Sequence, residues 1–229
     1  MNNWHQFPRA AFDLETTGRD PRTARIVTAS ILVVNAKSEI LQHREWLVNP
    51  GVRIPEEASD IHGITTEIAE RDGMDPQLAV GEISEFLDAL FQTMPVMVFN
   101  APYDFTVLRE EAKRYGAAQI DPRPVIDPLV IDKQVDKYRR GKRTLIAMSE
   151  FYQVPLINAH TSVADAAATI AVADRLAEKY PKELQIDPLL LHSNQIEWAA
   201  QQAASFQEYL RRREPSAVVE GDWPLKQEL

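Results

Sequence analysis

Apolar and polar residues alternate over positions 10–16, and runs rich in Ile, Val, Leu and Trp follow at 25–35 and 39–48, with turn residues at 35–38 between them. Short connections and a period of two predict three consecutive strands. Over 75–92 the spacing becomes helical, with Leu78, Ile83, Phe86, Leu87 and Leu90 on one side and Pro76 near the start. The apolar run 94–99 predicts a buried strand, 102–115 a helix stopped by Gly116, and 125–130 another strand. Helices follow at 144–152 and 161–180, the second ended by Pro181. Beyond Pro188, positions 189–213 form a long helical pattern that places Ile196, Ala199, Ala203, Phe206 and Leu210 on a core-facing stripe, and 215–229 reads as extended. The expected architecture is an α/β domain over 1–180 with a covered sheet, followed by a C-terminal helix and tail over 181–229.

Composition narrows the chemistry. Of 229 residues, 45% are hydrophobic and 26% charged, which suits a chain that folds on its own. No cysteine is present, so disulfides, thiolate zinc sites and cysteine nucleophiles are excluded, and any metal must sit on oxygen or imidazole. No run approaches the ~18 apolar residues of a membrane span, and 1–12 carries no signal-like segment, which gives the expectation of a cytoplasmic protein without membrane contact. The net charge of −9 opposes a nucleic-acid partner at first sight. Its distribution does not: Lys133, Lys137, Arg139, Arg140, Lys142 and Arg143 gather in one loop, read either as solvated or as a phosphate contact.

The acidic positions carry the most information. Asp13 and Glu15 point to the same face of the first strand, roughly 7 Å apart, with Phe12 and Leu14 opposite. On a buried strand that pair is costly unless a cation lies between its members; on an exposed edge it means nothing more than solvation. Asp104 falls in the first turn of a helix behind Asn100, where an aspartate also serves the helix dipole. From Val163 to Ala173 the only polar side chains are Asp165 and Thr169, so a carboxylate enters an otherwise buried helix and needs a partner, for which a metal ion is economical. His160 precedes that helix beside Thr161 and Ser162, its interest depending on its neighbours.

These residues resemble the DEDD superfamily of 3′→5′ exonucleases, in the histidine-bearing, DnaQ-like branch that includes the proofreading subunit of bacterial replicative polymerase. FDLETTG at 12–18, NAPYDF at 100–105 and HTSVADA at 160–166 are similar to its three motifs in order, and IHGIT at 61–65 to a segment lying against the terminal nucleotide. Tyr103 stands where phenylalanine is common, which retains the ring. The resemblance implies a ribonuclease-H-like fold, a central mixed five-stranded sheet flanked by helices, here with a C-terminal helical extension. It implies that Asp13, Glu15, Asp104 and Asp165 hold two divalent ions, Mg²⁺ or Mn²⁺, and that His160 is the general base. Leu14, Thr16, His62 and Tyr103 would line the nucleotide pocket, with Thr17 and Asn100 in support. The expected substrate is nucleic acid with a free 3′ end, single-stranded DNA first, and the product a nucleoside 5′-monophosphate.

Other readings remain at this level. The fold could serve a non-catalytic nucleic-acid-binding module or an RNA-trimming exonuclease. No GxSxG, GxxxxGK[ST] or HExxH pattern supports another hydrolase route. No polymerase domain fits the length, so proofreading would occur in trans, beside a polymerase or a sliding clamp, which the stretch QIDPLLL from Gln185 faintly resembles in its ligands.

Overall fold

The computed structural model describes residues 3–156 and 159–228; Met1, Asn2, the pair 157–158 and Leu229 in the predicted segments lie outside the described residues. A short 3-10 turn (Trp4–Gln6) leads into β1 (Arg9–Thr16), β2 (Ile26–Val34) and β3 (Ile40–Leu47), antiparallel in sequence. Helices α1 (Glu56–His62), α2 (Thr66–Asp72) and α3 (Pro76–Phe91) follow, then β4 (Val96–Met97), α4 (Ala101–Tyr115) and β5 (Val125–Ile126). The chain continues through α5 (Pro128–Val135), α6 (Leu145–Phe151), α7 (Ser162–Lys179), α8 (Pro181–Leu184) and α9 (Pro188–Arg211). The sheet order is β3-β2-β1-β4-β5, with β4 and β5 parallel to β1. This is the predicted mixed five-stranded sheet.

Alternation sorts the side chains of β1 between two cores. Ala10, Phe12 and Leu14 pack with α3 and α4 on one face, while Ala11 joins the cluster containing Ala166, Ile170 and Ala173 of α7 on the other. All nine residues of β2 are buried, as expected of a strand covered on both faces. β3 is the open edge, and its first six residues are exposed. At the other edge, α9 completes β5 with side chains. Val125 N–H donates to His192 Nδ1 at 3.1 Å, Gln195 Nε2 donates to Val125 C=O at 3.0 Å, and Asp127 N–H donates to Gln195 Oε1 at 2.7 Å. One amide and one imidazole thus satisfy a sheet edge that would otherwise be open.

Several expectations need correction. The run 125–130 is extended only at Val125–Ile126, because Asp127 caps α5 and Pro128 occupies its first turn, a start signal that outweighed the apolar run. The run 94–99 is likewise buried but forms only a two-residue strand. Leu78 is 61% exposed, at the solvent side of α3. The stripe predicted on 189–213 meets the core only in part: Ala199 packs against it, whereas Ile196 and Phe206 are exposed, and the most buried residues of α9 are Leu191, His192 and Gln195. Polar edge capping by His192 and Gln195 joins the apolar contacts of Leu191, Trp198 and Ala199 in docking this helix. The clamp-like stretch from Gln185 runs into α9, with Leu191 buried and the Gln185 amide donating to Ala177 C=O.

After α9 the tail returns along the molecule. Trp223 enters the main core, its Nε1 donating to Asp127 Oδ2 at 3.1 Å, and Lys226 N–H donates to Thr106 Oγ1 at 3.1 Å. Gly221 passes so close to α9 that a Cβ would stand 3.0 Å from the Ala203 side chain and 3.1 Å from the Ala200 backbone.

Candidate active site

The site is assembled from the end of β1 and the first turns of two helices. Asp13 and Glu15 lie opposite Ser30 and Thr28 of β2, and the pairing register shifts between Glu15 and Thr16, a bulge at the edge of the site. Asp104 sits in the first turn of α4, where its Oδ1 accepts from Leu14 N–H at 3.1 Å and ties that helix to β1. The first turn of α7 brings Asp165. Thr161 caps that helix through Ala164 N–H, and Thr28 Oγ1 donates to Ser162 Oγ at 3.4 Å. At the far end of α7, buried Arg9 grips Asp174 through Nε at 2.9 Å, fixing how the helix lies on the sheet.

His160 adopts a left-handed backbone (φ 70°), and its N–H donates to Asp165 Oδ1 at 3.4 Å. One ligating atom each from Glu15, His160 and Asp165 lie within 4.8 Å of one another. Asp13 is deeper, against Asp104, Asp165 and Glu15.

Burial dominates the electrostatics. It pushes Asp13 well above the usual carboxylate range, and repulsion from Asp104, Asp165 and Glu15 adds to the effect. Glu15 rises to about 8 through burial and then Asp165. Asp104 is also raised well, mainly by burial and against the Leu14 hydrogen bond; Asp165 is raised by burial against the nearby His160. Four acids that resist ionisation together form a set that a divalent cation relieves. The donors are oxygen with one imidazole in reach, which suits Mg²⁺ or Mn²⁺. Asp13, Glu15, Asp104 and Asp165 therefore fit as holders of such ions.

A stability prediction follows from these shifts. Glu15 keeps its proton in the fold up to about pH 8, whereas in the unfolded chain it loses it near its ordinary 4.5. The fold therefore binds more protons across that window, and stability falls as pH rises. The buried His62 and His192 are lowered by desolvation and act oppositely, costing stability only as pH falls below their ordinary 6.5. Between pH 7 and 9 in EDTA the carboxylates act alone: melting temperature should fall, Glu15→Gln should flatten the fall, and Mn²⁺ should reverse it. A melting temperature that rises over this interval contradicts the assignment.

Beside the acids opens a cleft of about 610 Å³ lined by Leu14, Glu15, Thr16, Thr17, His62 and Tyr103, together with Gly18, Arg19, Pro55 and Ile61. Tyr103 hydroxyl is held by Thr16 Oγ1 and Gly18 C=O. Thr17 Oγ1 accepts from Arg25 N–H at 2.9 Å and so anchors the cleft floor. His62 Nδ1 accepts from Ile64 N–H at 3.1 Å, and the buried ring also meets the Thr16 backbone. Of the predicted pocket residues, Asn100 alone is not among this cleft's lining. It takes a left-handed backbone at the start of α4 and lines a second cleft on the other side of that turn.

The sequence reading missed Asp127. Fully buried, it accepts from Asn100 and Ala101 N–H at 3.0 Å each, from Leu129 N–H at 2.9 Å and from Trp223 Nε1 at 3.1 Å, and so fixes the turn that carries Tyr103 and Asp104. Its signal was the Asp-Pro pair that opens α5. The basic loop also needs revision. Arg139 and Arg143 both pair with buried Asp132, which accepts from Tyr152 hydroxyl at 2.6 Å, so these two cations are structural.

Among the described residues no helix is long and apolar enough to cross a membrane. A family model described as "Exonuclease" matches residues 10–173. The PolC-type DNA polymerase III of Caldanaerobacter subterraneus subsp. tengcongensis is 27% identical over 169 residues, 73% of this chain and 11% of that protein. The DNA polymerase III subunit epsilon-like protein of Rhodobacter capsulatus is 27% identical over 169 residues, 72% of this chain and 23% of that protein. The chain thus spans less than a quarter of the length of these two relatives. In fold it is similar to E. coli exonuclease I in complex with a dA16 oligonucleotide, with a TM-score of 0.66 at 19% identity over 77% of this chain and 42% of that one. Exonuclease I from Methylocaldum szegediense gives 0.62 at 22% identity, over 90% and 45%. With a matching model across most of its length and the ordered acidic motifs in place, the chain belongs to the exonuclease family, in the DEDD 3′→5′ superfamily.

Proposed function

We propose that this chain removes nucleotides one at a time from the 3′ end of single-stranded DNA, releasing nucleoside 5′-monophosphates, with two Mg²⁺ or Mn²⁺ ions. The observation that carries this reading is the gathering of Glu15, His160 and Asp165 within 4.8 Å, close to Asp13 and Asp104, with Glu15 also lining the 610 Å³ cleft. The bound ions would supply charge stabilisation at phosphorus and make the attacking water more acidic. Asp13, Glu15, Asp104 and Asp165 would hold them.

The remaining steps belong to the chain's own side chains. Leu14, Thr16, His62 and Tyr103 hold the terminal nucleotide, with Thr17 and Asn100 in support and Glu15 reaching the 3′-hydroxyl. An imidazole suits proton abstraction at neutral pH, and His160 takes the proton of the water that attacks phosphorus in line. The bond from phosphorus to the penultimate 3′-oxygen breaks, leaving a strand one nucleotide shorter with a new 3′-hydroxyl. Contacts to sugar, backbone and ring face permit cleavage of any sequence. Residues 1–180 carry the catalytic domain, with 181–229 as its extension. By the names of its relatives the setting is DNA replication or repair, in association with a polymerase.

Digestion of matched single-stranded DNA, a duplex with a mismatched 3′ end, and RNA tests the substrate class. Single strands and the frayed mismatch should be shortened faster than RNA; preferential digestion of RNA would overturn the DNA assignment in favour of RNA trimming.

A further inference from the structure

A second cleft, of about 630 Å³, lies between α5, α9 and the returning tail. Asn100 and Pro102 line it, while the next residue, Tyr103, lines the first cleft. The two clefts therefore flank a single helical turn, the one Asp127 holds. Phe206 and Tyr209 line the second cleft from α9 and are 52% and 54% exposed. Their rings are nearly parallel, 13° apart with centroids 6.4 Å from each other. Lys133 of α5 and Lys137, just beyond the helix, also line the cleft; among the described residues neither forms an ion pair, although Lys133 lies in the field of Asp127 and Asp132. The acids nearby are largely occupied: Glu220 binds Arg22 at 2.8 Å and Lys226 at 2.7 Å, and Asp127 binds Trp223, which leaves Asp222.

Half-exposed aromatic faces side by side are costly to leave in water, and unpaired lysines in the same cleft call for an anion. A flat ring joined to a phosphate answers both. We propose that this cleft binds the unpaired strand on the 5′ side of the terminal nucleotide, its bases stacking on Phe206 and Tyr209 and its phosphates meeting Lys133 and Lys137. The proposal rests on the exonuclease reading and extends it to an upstream track. The two clefts share no lining residue, and neither Phe206 nor Tyr209 lines the first, so a dinucleotide confined to the first cleft would not touch them.

The test pairs cleavage with binding. In the Phe206→Ala/Tyr209→Ala double variant, KM for a single strand of about twelve nucleotides should rise about tenfold relative to KM for a dinucleotide, the scale of one lost stacked base. In Lys133→Gln/Lys137→Gln the salt dependence of strand binding should become shallower by about two phosphate contacts. Tyr138→Ala, an exposed aromatic outside the cleft, serves as the control and should change neither value. Anisotropy of a fluorescein-labelled strand in EDTA reads the same track without turnover. If the double variant binds the labelled strand as the parent does, the upstream track is wrong even where cleavage is intact. If the parent protein releases no nucleotide from either substrate, the exonuclease reading fails, and the binding arm still decides the track.

Discussion

Replacing Asp165 by asparagine should lower nucleotide release by roughly three orders of magnitude or more, while raising the melting temperature of the metal-free protein. Loss of one carboxylate removes a share of the charge stabilisation at phosphorus, worth several kcal/mol, and each ~1.4 kcal/mol is a decade in rate. The same substitution deletes one of the acids that repel Asp13 and Glu15 across a buried space. Opposite signs in activity and stability distinguish a site residue from a structural one, whose loss lowers both. Steady-state release of mononucleotide and thermal melts in EDTA check the two halves. Ordinary turnover in Asp165→Asn would remove this residue from the site, and a destabilised metal-free protein would show that its carboxylate is not under repulsion.

The second large effect is expected at Asp127, remote in sequence from every motif. Its carboxylate accepts from three backbone N–H groups and from Trp223, all in a buried setting. Asp127→Ala leaves those donors without acceptors, at about 1 kcal/mol or more each, so a loss of about 3 to 5 kcal/mol is expected in denaturant titration. Because Asn100 and Ala101 begin the turn that carries Tyr103 and Asp104, kcat per folded molecule should fall as well. Trp223→Phe keeps the ring and loses only one donor, so it should cost about 1 kcal/mol and little turnover. If Asp127→Ala lowers stability but leaves kcat unchanged, the residue holds the fold together without positioning the site.

Both predictions bear on what the sequence could reveal. β1 and β2 were legible because a strand with one or two buried faces must show period two or an unbroken apolar run, β3 because turn residues set it off from β2, and α3, α4 and α7 because their starts and stops carry Pro, Thr or Gly signals. Asp13, Glu15 and Asp165 drew attention because charges on buried elements demand a reason, and Asp104 and His160 only through the resemblance; of these five the structure brings ligating atoms of Glu15, His160 and Asp165 within 4.8 Å of one another. What escaped was polar. Gln195 and His192 dock α9 through hydrogen bonds to β5, Asp127 reads as an ordinary helix cap, and Arg139 and Arg143 read as solvent-facing until Asp132 is found beneath them. A hydrophobic pattern records burial of carbon, whereas these contacts depend on which donor meets which acceptor. Helices α1, which builds the cleft wall with His62, and α2 are seven residues each and too short for periodicity to register.

Asp13, Glu15, Asp104 and Asp165 would make divalent cations the means of cleavage from a 3′ terminus. Incubation of a 5′-labelled single strand with the protein in Mn²⁺, Mg²⁺ or EDTA addresses that claim most directly. A ladder shortening stepwise from the 3′ end in either cation, with mononucleotide released, and an unchanged strand in EDTA is the predicted result; undiminished cleavage in EDTA, or loss of the 5′ label first, would contradict it.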